Sequence, residues 1–225
     1  MSSLNKRAFG GLLGWHLVMA ALLFLPAWTL NYWQAWAYLA VCGASGLPIT
    51  LYLMKNDPKL LERRMYAGPT AEKRTIQKII LSITVPGFIA LLVVPALDHH
   101  WHRCMAPLPV AVAGDVLVAL SCLLIFFVYK ENSFASATIE LAPEQKVIST
   151  GPYALLRHPM YFGGFLMFVG MPLALGSWCG LLVLILMMPA LMWRLLDEEK
   201  FLAKNLPGYS EYREKVRYRL LPFIW

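Results

Sequence analysis

The sequence between residues 149 and 164 reads STGPYALLRHPMYFGG and brings turn-forming residues, a cation, an imidazole and two phenols together just before a long apolar run. Gly151-Pro152 predicts a turn. Because the ring of Pro159 disfavours the α region for the residue before it, we expect His158 to be extended or to lie at a helix boundary. The stretch is therefore predicted to lie where a polar loop gives way to an apolar helix.

Two interpretations of this stretch stay open on spacing alone. The polar side chains could form the ligand site of a membrane enzyme, since Arg157, His158 and Tyr161 would face the end of the apolar helices. Arg, His and Tyr also occur at helix ends as anchors at the headgroup level of a bilayer. Only the rest of the sequence can distinguish a ligand site from an anchor at the headgroup level.

The composition predicts an integral membrane protein. Of the 225 residues, 59% are hydrophobic and 15% are charged, whereas a soluble domain has about 45–50% apolar and about 25% charged residues. The net charge of +7 is better explained by cationic loops held on one side of a bilayer than by nucleic-acid binding.

Six apolar runs predict an all-α fold, a polytopic helical bundle with five to six transmembrane helices. A spanning helix needs about 20 residues, so the first four runs are long enough, the fifth is short and the sixth is borderline. The last two runs predict a tilted helical hairpin. The runs cover residues 8–30, 32–54, 76–97, 107–129, 160–175 and 178–196.

The distribution of Lys and Arg around these runs is one-sided. If both termini are cytoplasmic, all of the 20 Lys and Arg residues except Arg103 lie on the inner side, in a terminus, in an inner loop or at the inner end of an apolar run. Cytoplasmic loops carry an excess of such residues. We therefore expect a multi-pass protein with an even number of crossings, and with both termini and the site around His158 in the cytoplasm.

One structural domain is expected, with a four-helix transmembrane part over residues 1–130 and a second part over residues 131–225 that contains a polar loop, the hairpin and a charged tail. In the inner loop before the third run, Thr70 as N-cap and Glu72 in the first turn predict a helix start. In the tail, four apolar residues share one helical face and predict an amphipathic helix on an anionic membrane surface. They are Tyr209, Tyr212, Val216 and Leu220.

Neither a disulfide framework nor a metal site is predicted. Cys42, Cys104, Cys122 and Cys179 lie in or beside apolar runs without paired spacing. The adjacent histidines His99, His100 and His102 lack the spacing of a formed metal site.

The inner side of the predicted bundle gathers a mixed set of charged and aromatic residues. No serine, cysteine or lysine lies beside a base there, and no Gly-rich phosphate loop is present. Such a pocket suits a zwitterionic ligand with an aromatic base, next to a lipophilic partner from the bilayer. Arg194 and Glu198 are four residues apart, which predicts a local ion pair. The set comprises Tyr153, Arg157, His158, Tyr161, Arg194, Glu198 and Glu199.

Three groups of residues, taken together, resemble the isoprenylcysteine carboxyl methyltransferase family, within the wider group of membrane phospholipid and thiol methyltransferases. The first is Gly151-Pro152-Tyr153 followed by Arg157-His158-Pro159-Met160-Tyr161 and Gly163. The second is Gly170-x-Pro172-Leu173-x-x-Gly176-Ser177. The third is Arg194-x-x-x-Glu198-Glu199-x-x-Leu202 with Tyr209-x-x-Tyr212 and the run from Val216 to Pro222.

The resemblance implies methyl transfer from S-adenosylmethionine to a lipophilic acceptor, most simply an isoprenylcysteine-type carboxylate, with a phospholipid amine or a thiol as further acceptors. Arg194 would face the acceptor, Glu198 would pair with the ammonium group of the donor, and no metal or nucleic acid would take part. The implied donor-binding residues are Gln145, Lys146, Val147, Ile148, Tyr153, His158, Pro159, Met160, Tyr161 and Glu198.

Two other functions remain possible at this stage. The Arg157-His158-Pro159 element and the ending from Tyr218 to Pro222 are also similar to NADPH-dependent membrane sterol and steroid reductases, although Glu198-Glu199 favours the methyltransferase. A non-catalytic membrane scaffold or transporter would use the charged helix ends only to set its topology.

Overall fold

The computed structural model describes residues 3–68, 70–142 and 144–225. These residues form eight α-helices and one 3₁₀ turn, Gly151–Ala154, and no named β-strand occurs among them. The helices are α1 (Ser3–Ala27), α2 (Trp33–Asn56), α3 (Pro58–Met65), α4 (Thr75–Trp101), α5 (Leu108–Glu131), α6 (Pro159–Ala174), α7 (Cys179–Asn205) and α8 (Tyr209–Lys215). Five of them are long and apolar enough to cross a membrane, namely α1, α2, α4, α5 and α7. The predicted all-α, polytopic bundle is therefore confirmed.

The turns α1–α2, α4–α5 and α6–α7 meet at one end of the bundle, which we call the disulfide end. The hydroxyl of Tyr32 donates a hydrogen bond to the carbonyl oxygen of Leu175, 2.7 Å away. The backbone N–H of Ala106 donates to the carbonyl oxygen of Gly176 at 2.7 Å. The described residues of the polar segments 57–74 and 132–158 and of the tail lie at the opposite end, which we call the loop end.

Helix α6 runs from the loop end to the disulfide end although it has only 16 residues. At about 1.5 Å per residue it rises about 24 Å, somewhat less than the hydrocarbon core of a bilayer, which is about 30 Å thick. Helix α6 begins where the sequence predicted a helix boundary. Pro159 occupies its first turn and His158 is the N-cap, with φ −125° and ψ 61°. Helices α6 and α7 thus form the predicted C-terminal hairpin.

The disulfide end corrects the expectation for the cysteines. Cys104 and Cys179 are joined by a disulfide with a Cα–Cα distance of 5.6 Å, whereas Cys42 and Cys122 are free. The buried carboxylate of Asp98 accepts hydrogen bonds from the Ser177 hydroxyl at 2.6 Å and from the backbone N–H of Cys104 at 2.7 Å. The sequence could not show this pair, because the two cysteines are 75 residues apart and adjoin only in the folded chain.

Helices α5 and α6 approach each other closely through small residues. A Cβ atom on Gly114 would lie 2.1 Å from the backbone nitrogen of Ala174, and one on Gly170 would lie 2.9 Å from the carbonyl oxygen of Gly114. Such close approach needs glycine at the contact. The Ser121 hydroxyl, buried in the same interface, donates to the carbonyl oxygen of Gly163 at 2.6 Å. This packing fixes the position of α6, whose first turn carries the predicted site.

Two predicted helix boundaries are wrong. Helix α4 begins at Thr75 and not at Thr70, and Glu72 lies in the segment before it with only 2% of its surface exposed. Helix α8 ends at Lys215, so Val216 and Leu220 are not part of it. Tyr209, Tyr212 and Val216 instead pack inward against Leu206 and neighbouring side chains, because the loop end offers them an apolar surface of the protein itself.

Candidate active site

A cavity of about 620 Å³ lies at the loop end and extends between α1, α4, α6 and α7. Described residues of the loop 132–158, the first turn of α6 and the C-terminal half of α7 form its polar part. All the donor-binding and acceptor-facing residues that the family resemblance implied line it together. They are Gln145, Lys146, Val147, Ile148, Tyr153, His158, Pro159, Met160, Tyr161, Arg194 and Glu198.

Helices α6 and α7 are joined at the cavity wall by Tyr161 and Glu198. The phenol of Tyr161 donates a short hydrogen bond to Oε2 of the Glu198 carboxylate. The ring of His158 meets that of Tyr161 edge to face, with 5.6 Å between the ring centroids. The imidazole, the phenol and the carboxylate thus form one continuous polar wall.

His158 is a neutral imidazole in this wall. Burial, with smaller contributions from the cations Arg157 and Arg219, lowers the pKa of His158 to about 3. Its backbone N–H donates to the carbonyl oxygen of Arg219 at 3.0 Å, while Nε2 is buried without a hydrogen-bond partner among the described residues. A buried imidazole nitrogen without a partner is suited to a polar group of a ligand.

The tail of the chain closes one side of the cavity. The backbone N–H of Arg157 donates to the carbonyl oxygen of Tyr218 at 2.9 Å, and Leu220 lines the cavity. The Tyr212 hydroxyl donates to the carbonyl oxygen of Tyr153 at 2.7 Å. The phenol of Tyr153 in turn accepts a hydrogen bond from Asn132 at 2.8 Å, and burial raises the pKa of Tyr153 to about 12.

Glu199 connects this tail to α7. It is not one of the described residues that line the cavity. Its carboxylate lies 2.8 Å from the guanidinium groups of both Arg157 and Arg219, and 3.8 Å from that of Arg213. Only 4% of the Glu199 side chain and 8% of the Arg157 side chain are exposed. The paired glutamates of the sequence therefore have different roles: Glu198 faces the cavity, and Glu199 holds the tail and the loop.

The guanidinium of Arg194 is held by two side chains of the N-terminal part and by one backbone carbonyl of the loop over the cavity. It donates to Oε1 of Gln77 at 2.7 Å, to Oε1 of Glu72 at 3.1 Å and to the carbonyl oxygen of Ala137 at 3.1 Å. The ion pair of Arg194 is thus formed with Glu72, although the sequence spacing predicted one with Glu198. Glu72 and Gln77 were missed as site residues, because nothing local indicates that an acidic connector residue pairs with a helix more than a hundred positions later.

The far part of the cavity is apolar and aromatic. Trp15 of α1 and Phe88 of α4 have ring centroids 5.6 Å apart, and Phe88 and Phe168 of α6 have centroids 6.2 Å apart. Leu81, Val85, Met188 and Leu191 complete this lining. A polar end and an apolar end in one cavity fit a ligand pair in which one member is charged and the other is a lipid.

Comparison with known proteins points to one class of reaction. A family model described as phospholipid methyltransferase matches residues 110–207. Two relatives named probable protein-S-isoprenylcysteine O-methyltransferase, from Oryza sativa subsp. indica and subsp. japonica, are each 28% identical over 136 residues, which is 59% of this chain and 68% of the relative. These matches confirm the resemblance to the isoprenylcysteine carboxyl methyltransferase family. Together with the long apolar helices, they support an integral membrane methyltransferase.

Proposed function

We propose that this chain, which resembles the isoprenylcysteine carboxyl methyltransferases, transfers a methyl group from S-adenosylmethionine to a lipophilic acceptor at the loop end of its helical bundle. The observation that carries the proposal is that one continuous cavity has a polar wall with His158, Tyr161 and Glu198 and an apolar far part. A cavity of this kind brings a charged donor and a lipid together.

The residues of the polar wall fit S-adenosylmethionine, which when bound supplies an electrophilic methyl group on a sulfonium. The Glu198 carboxylate can pair with the α-ammonium group of the donor. The partnerless Nε2 of buried His158 can hydrogen-bond its carboxylate, and so can Tyr161. Adenine requires apolar surfaces and backbone polar groups. The residues available for it are Gln145, Lys146, Val147, Ile148, Tyr153, Pro159 and Met160.

Arg194 is the residue that we propose to orient the acceptor. An isoprenylcysteine-type carboxylate is already anionic near neutral pH, so it needs no general base. A guanidinium recognises a carboxylate by charge-assisted hydrogen bonds. Alignment of the two reactants and exclusion of water would then supply most of the acceleration. A phospholipid amine or a thiol would first have to lose a proton.

The apolar part of the cavity is proposed to hold the lipid tail of the acceptor. Trp15 contributes from α1 and Phe88 from α4, and both helices are long and apolar enough to cross a membrane. The tail can therefore remain in an apolar environment while its polar head reaches Arg194. Burial of each methylene group contributes about 0.8 kcal/mol, so this surface can dominate the affinity for the acceptor.

We place the loop end in the cytoplasm. This orientation puts both termini and all Lys and Arg residues except Arg103 on the cytoplasmic side. The disulfide Cys104–Cys179 lies at the opposite end, and disulfides persist in oxidising compartments outside the cytosol. The donor-binding part proposed for residues 131–225 would then face the cytoplasmic pool of S-adenosylmethionine.

Radiolabelled methyl transfer tests the proposal. The full chain in lipid nanodiscs is incubated with S-adenosylmethionine carrying a labelled methyl group and with total membrane lipid and protein extracts. We expect label in a lipophilic product that releases methanol in base, as a methyl ester does, whereas a base-stable label would indicate an amine or thiol acceptor. No label and no donor binding would reject the methyltransferase, and binding of NADPH in its place would indicate a reductase.

A matched pair of variants ties the activity to the cavity. Glu198→Gln removes the carboxylate at the cavity wall, and Glu214→Gln removes an exposed carboxylate of α8. We expect the first to lose labelled product and the second to retain it. Equal activity of both variants would separate the reaction from this cavity.

A further inference from the structure

The two side chains that hold Arg194, those of Glu72 and Gln77, lie outside residues 110–207 that match the family model. The side chain of Glu72 is 0% exposed and that of Arg194 is 14% exposed where the two groups pair. Gln77 is fully buried in the first turn of α4 and accepts from Arg194 at 2.7 Å. A carboxylate and an amide thus hold the two Nη atoms of the same guanidinium.

Gln77 also connects Arg194 to the next polar group of α7. Its Nε2 donates a short hydrogen bond to Asp197, while its Oε1 accepts from Arg194. Both ends of the amide are therefore used, which fixes its orientation. Asp197 is held in addition by two hydrogen bonds from Arg74, at 2.7 and 3.0 Å. The beginning of α4 and the last turns of α7 are tied together by this buried chain of contacts.

Glu72 connects Arg194 to the loop over the cavity, as Gln77 connects it to Asp197. Its Oε1 accepts a hydrogen bond from the backbone N–H of Ile139 at 3.2 Å. Arg194 donates to the carbonyl oxygen of Ala137 in the same loop at 3.1 Å. Both loop residues line the cavity. The position of Arg194 and the position of this wall therefore depend on one buried carboxylate.

We propose that Glu72 and Gln77 are positioning residues that set the direction of the Arg194 guanidinium toward the methyl acceptor. An arginine side chain has many rotamers, and the two contacts restrict that freedom before the acceptor binds. A misplacement of about 1 Å can cost about 100-fold in rate. This inference rests on the proposed methyltransferase function and on Arg194 as the group that orients the acceptor.

The test is a double-mutant cycle on the full chain in nanodiscs. We expect Glu72→Gln and Gln77→Met each to lower kcat about 10- to 100-fold, while the Kd of the donor changes by less than about threefold, as expected for a contact made only with the acceptor. Because both residues act through Arg194, neither substitution should lower kcat further in an Arg194→Gln background. Glu72→Asp, which keeps the charge, should restore part of the activity.

The neighbouring residue gives a matched control. Lys73 is 79% exposed and pairs with Glu140 at the surface, so Lys73→Met changes the same segment without touching Arg194. We expect it to retain the kcat of the wild-type protein. Equilibrium binding of the donor to each variant reports separately whether the polar wall is intact.

The other possible results contradict either the positioning role of Glu72 and Gln77 or the proposed function itself. Additive losses in the double variants, or a loss of donor binding equal to the loss of kcat, would overturn the positioning role. If Glu72→Gln does not fold, the kcat and the donor Kd of Gln77→Met test the positioning role by the same criteria. Donor binding and methyl transfer by the wild-type protein with unchanged kcat in both single variants would overturn this inference alone. Absence of methyl transfer by the wild-type protein would overturn the proposed function and this inference together.

Discussion

The phenol of Tyr161 donates a hydrogen bond to the carboxylate of Glu198, and so connects the first turn of α6 with the last part of α7. The two residues are 37 positions apart and meet because α6 and α7 form an antiparallel hairpin. His158 stands against the same phenol. The polar wall of the cavity is thus built at the loop end of the hairpin, and predictions about ligand binding start from these side chains.

Glu198→Gln should weaken binding of S-adenosylmethionine about 10- to 100-fold. A hydrogen bond that involves a charged group contributes about 1.5–3 kcal/mol, and the substitution removes the charge that we propose to pair with the α-ammonium group. Isothermal titration of the donor, or of its demethylated product, measures the change. Glu214→Gln serves as the control, and equal Kd values for the two variants would contradict the assignment of Glu198.

Acid should destabilise the protein through His158. The unfolded imidazole takes up a proton below about pH 6.5, whereas the buried one stays neutral until about pH 3. Between these values the unfolded state binds more protons, so stability is lost as the pH falls, by at most about 1.4 kcal/mol per pH unit. Thermal unfolding from pH 7.5 to 5 measures the slope.

The slope should become shallower in His158→Asn. His102 is exposed beyond α4 at the disulfide end, so His102→Asn should keep the slope of the wild-type protein. A slope that is the same in all three proteins would show that another group causes the acid sensitivity.

Glu199→Gln should lower the free energy of unfolding by about 3 kcal/mol, because removal of one partner leaves a buried charge without compensation. The unpaired charge would be that of Arg157, whose side chain is 8% exposed. The midpoint of thermal unfolding in detergent measures the loss. Glu211→Gln on the exposed surface of α8 should leave the midpoint unchanged, and a similar result for Glu199→Gln would refute a connecting role.

Trp15→Ala should shift the preference for the acceptor toward a longer lipid tail. The indole packs against Phe88 at the apolar part of the cavity, so its removal extends the space for the tail. We expect the ratio of kcat/KM for a tail one isoprene unit longer to rise about tenfold, in line with about 1–3 kcal/mol for small differences in an apolar pocket. Leu17→Ala, on the exposed surface of the same helix, should not change the ratio.

Loss of the disulfide should destabilise the bundle without changing the chemistry at the loop end. The bond joins residues 75 positions apart, and disulfides that close loops of this order contribute about 2–4 kcal/mol. The variant Cys104→Ser/Cys179→Ser should unfold at a lower temperature than Cys42→Ser, with an unchanged Kd for the donor. Thiol titration of the denatured wild-type protein should reach four thiols only after reduction, and four thiols without a reductant would contradict the bond.

Local rules explain what the sequence could predict. Pro159 restricts the residue before it, and this restriction placed His158 at the start of α6. Hydropathy gave the spanning helices, since a bilayer demands long apolar runs. The grouping of His158, Tyr161 and Glu198 could be expected because His158 and Tyr161 lie at the start of α6, and Glu198 lies about two turns before the end of the next helix, α7.

Long-range partners explain what it could not predict. Glu72 pairs with Arg194 across 122 residues, and Cys104 with Cys179 across 75. Neither pair has a local pattern, because each depends on how antiparallel helices are set side by side. At Glu72 the local pattern gave a wrong prediction of a helix start, because an acidic residue shortly after a threonine is typical of one.

The covalent and polar contacts around Cys104 and Asp98 restrict separation of the helices at that extremity of the bundle. We therefore expect space for the proposed lipid acceptor to come from separation of the helices at the other extremity, with displacements that grow with distance from the fixed turns. Amide hydrogen exchange should consequently be graded along the bundle axis, slow beside Gly176 and faster near Gly164. We thus expect substrates to enter when the helices bend relative to the rigid disulfide end, with no sliding of one helix past another.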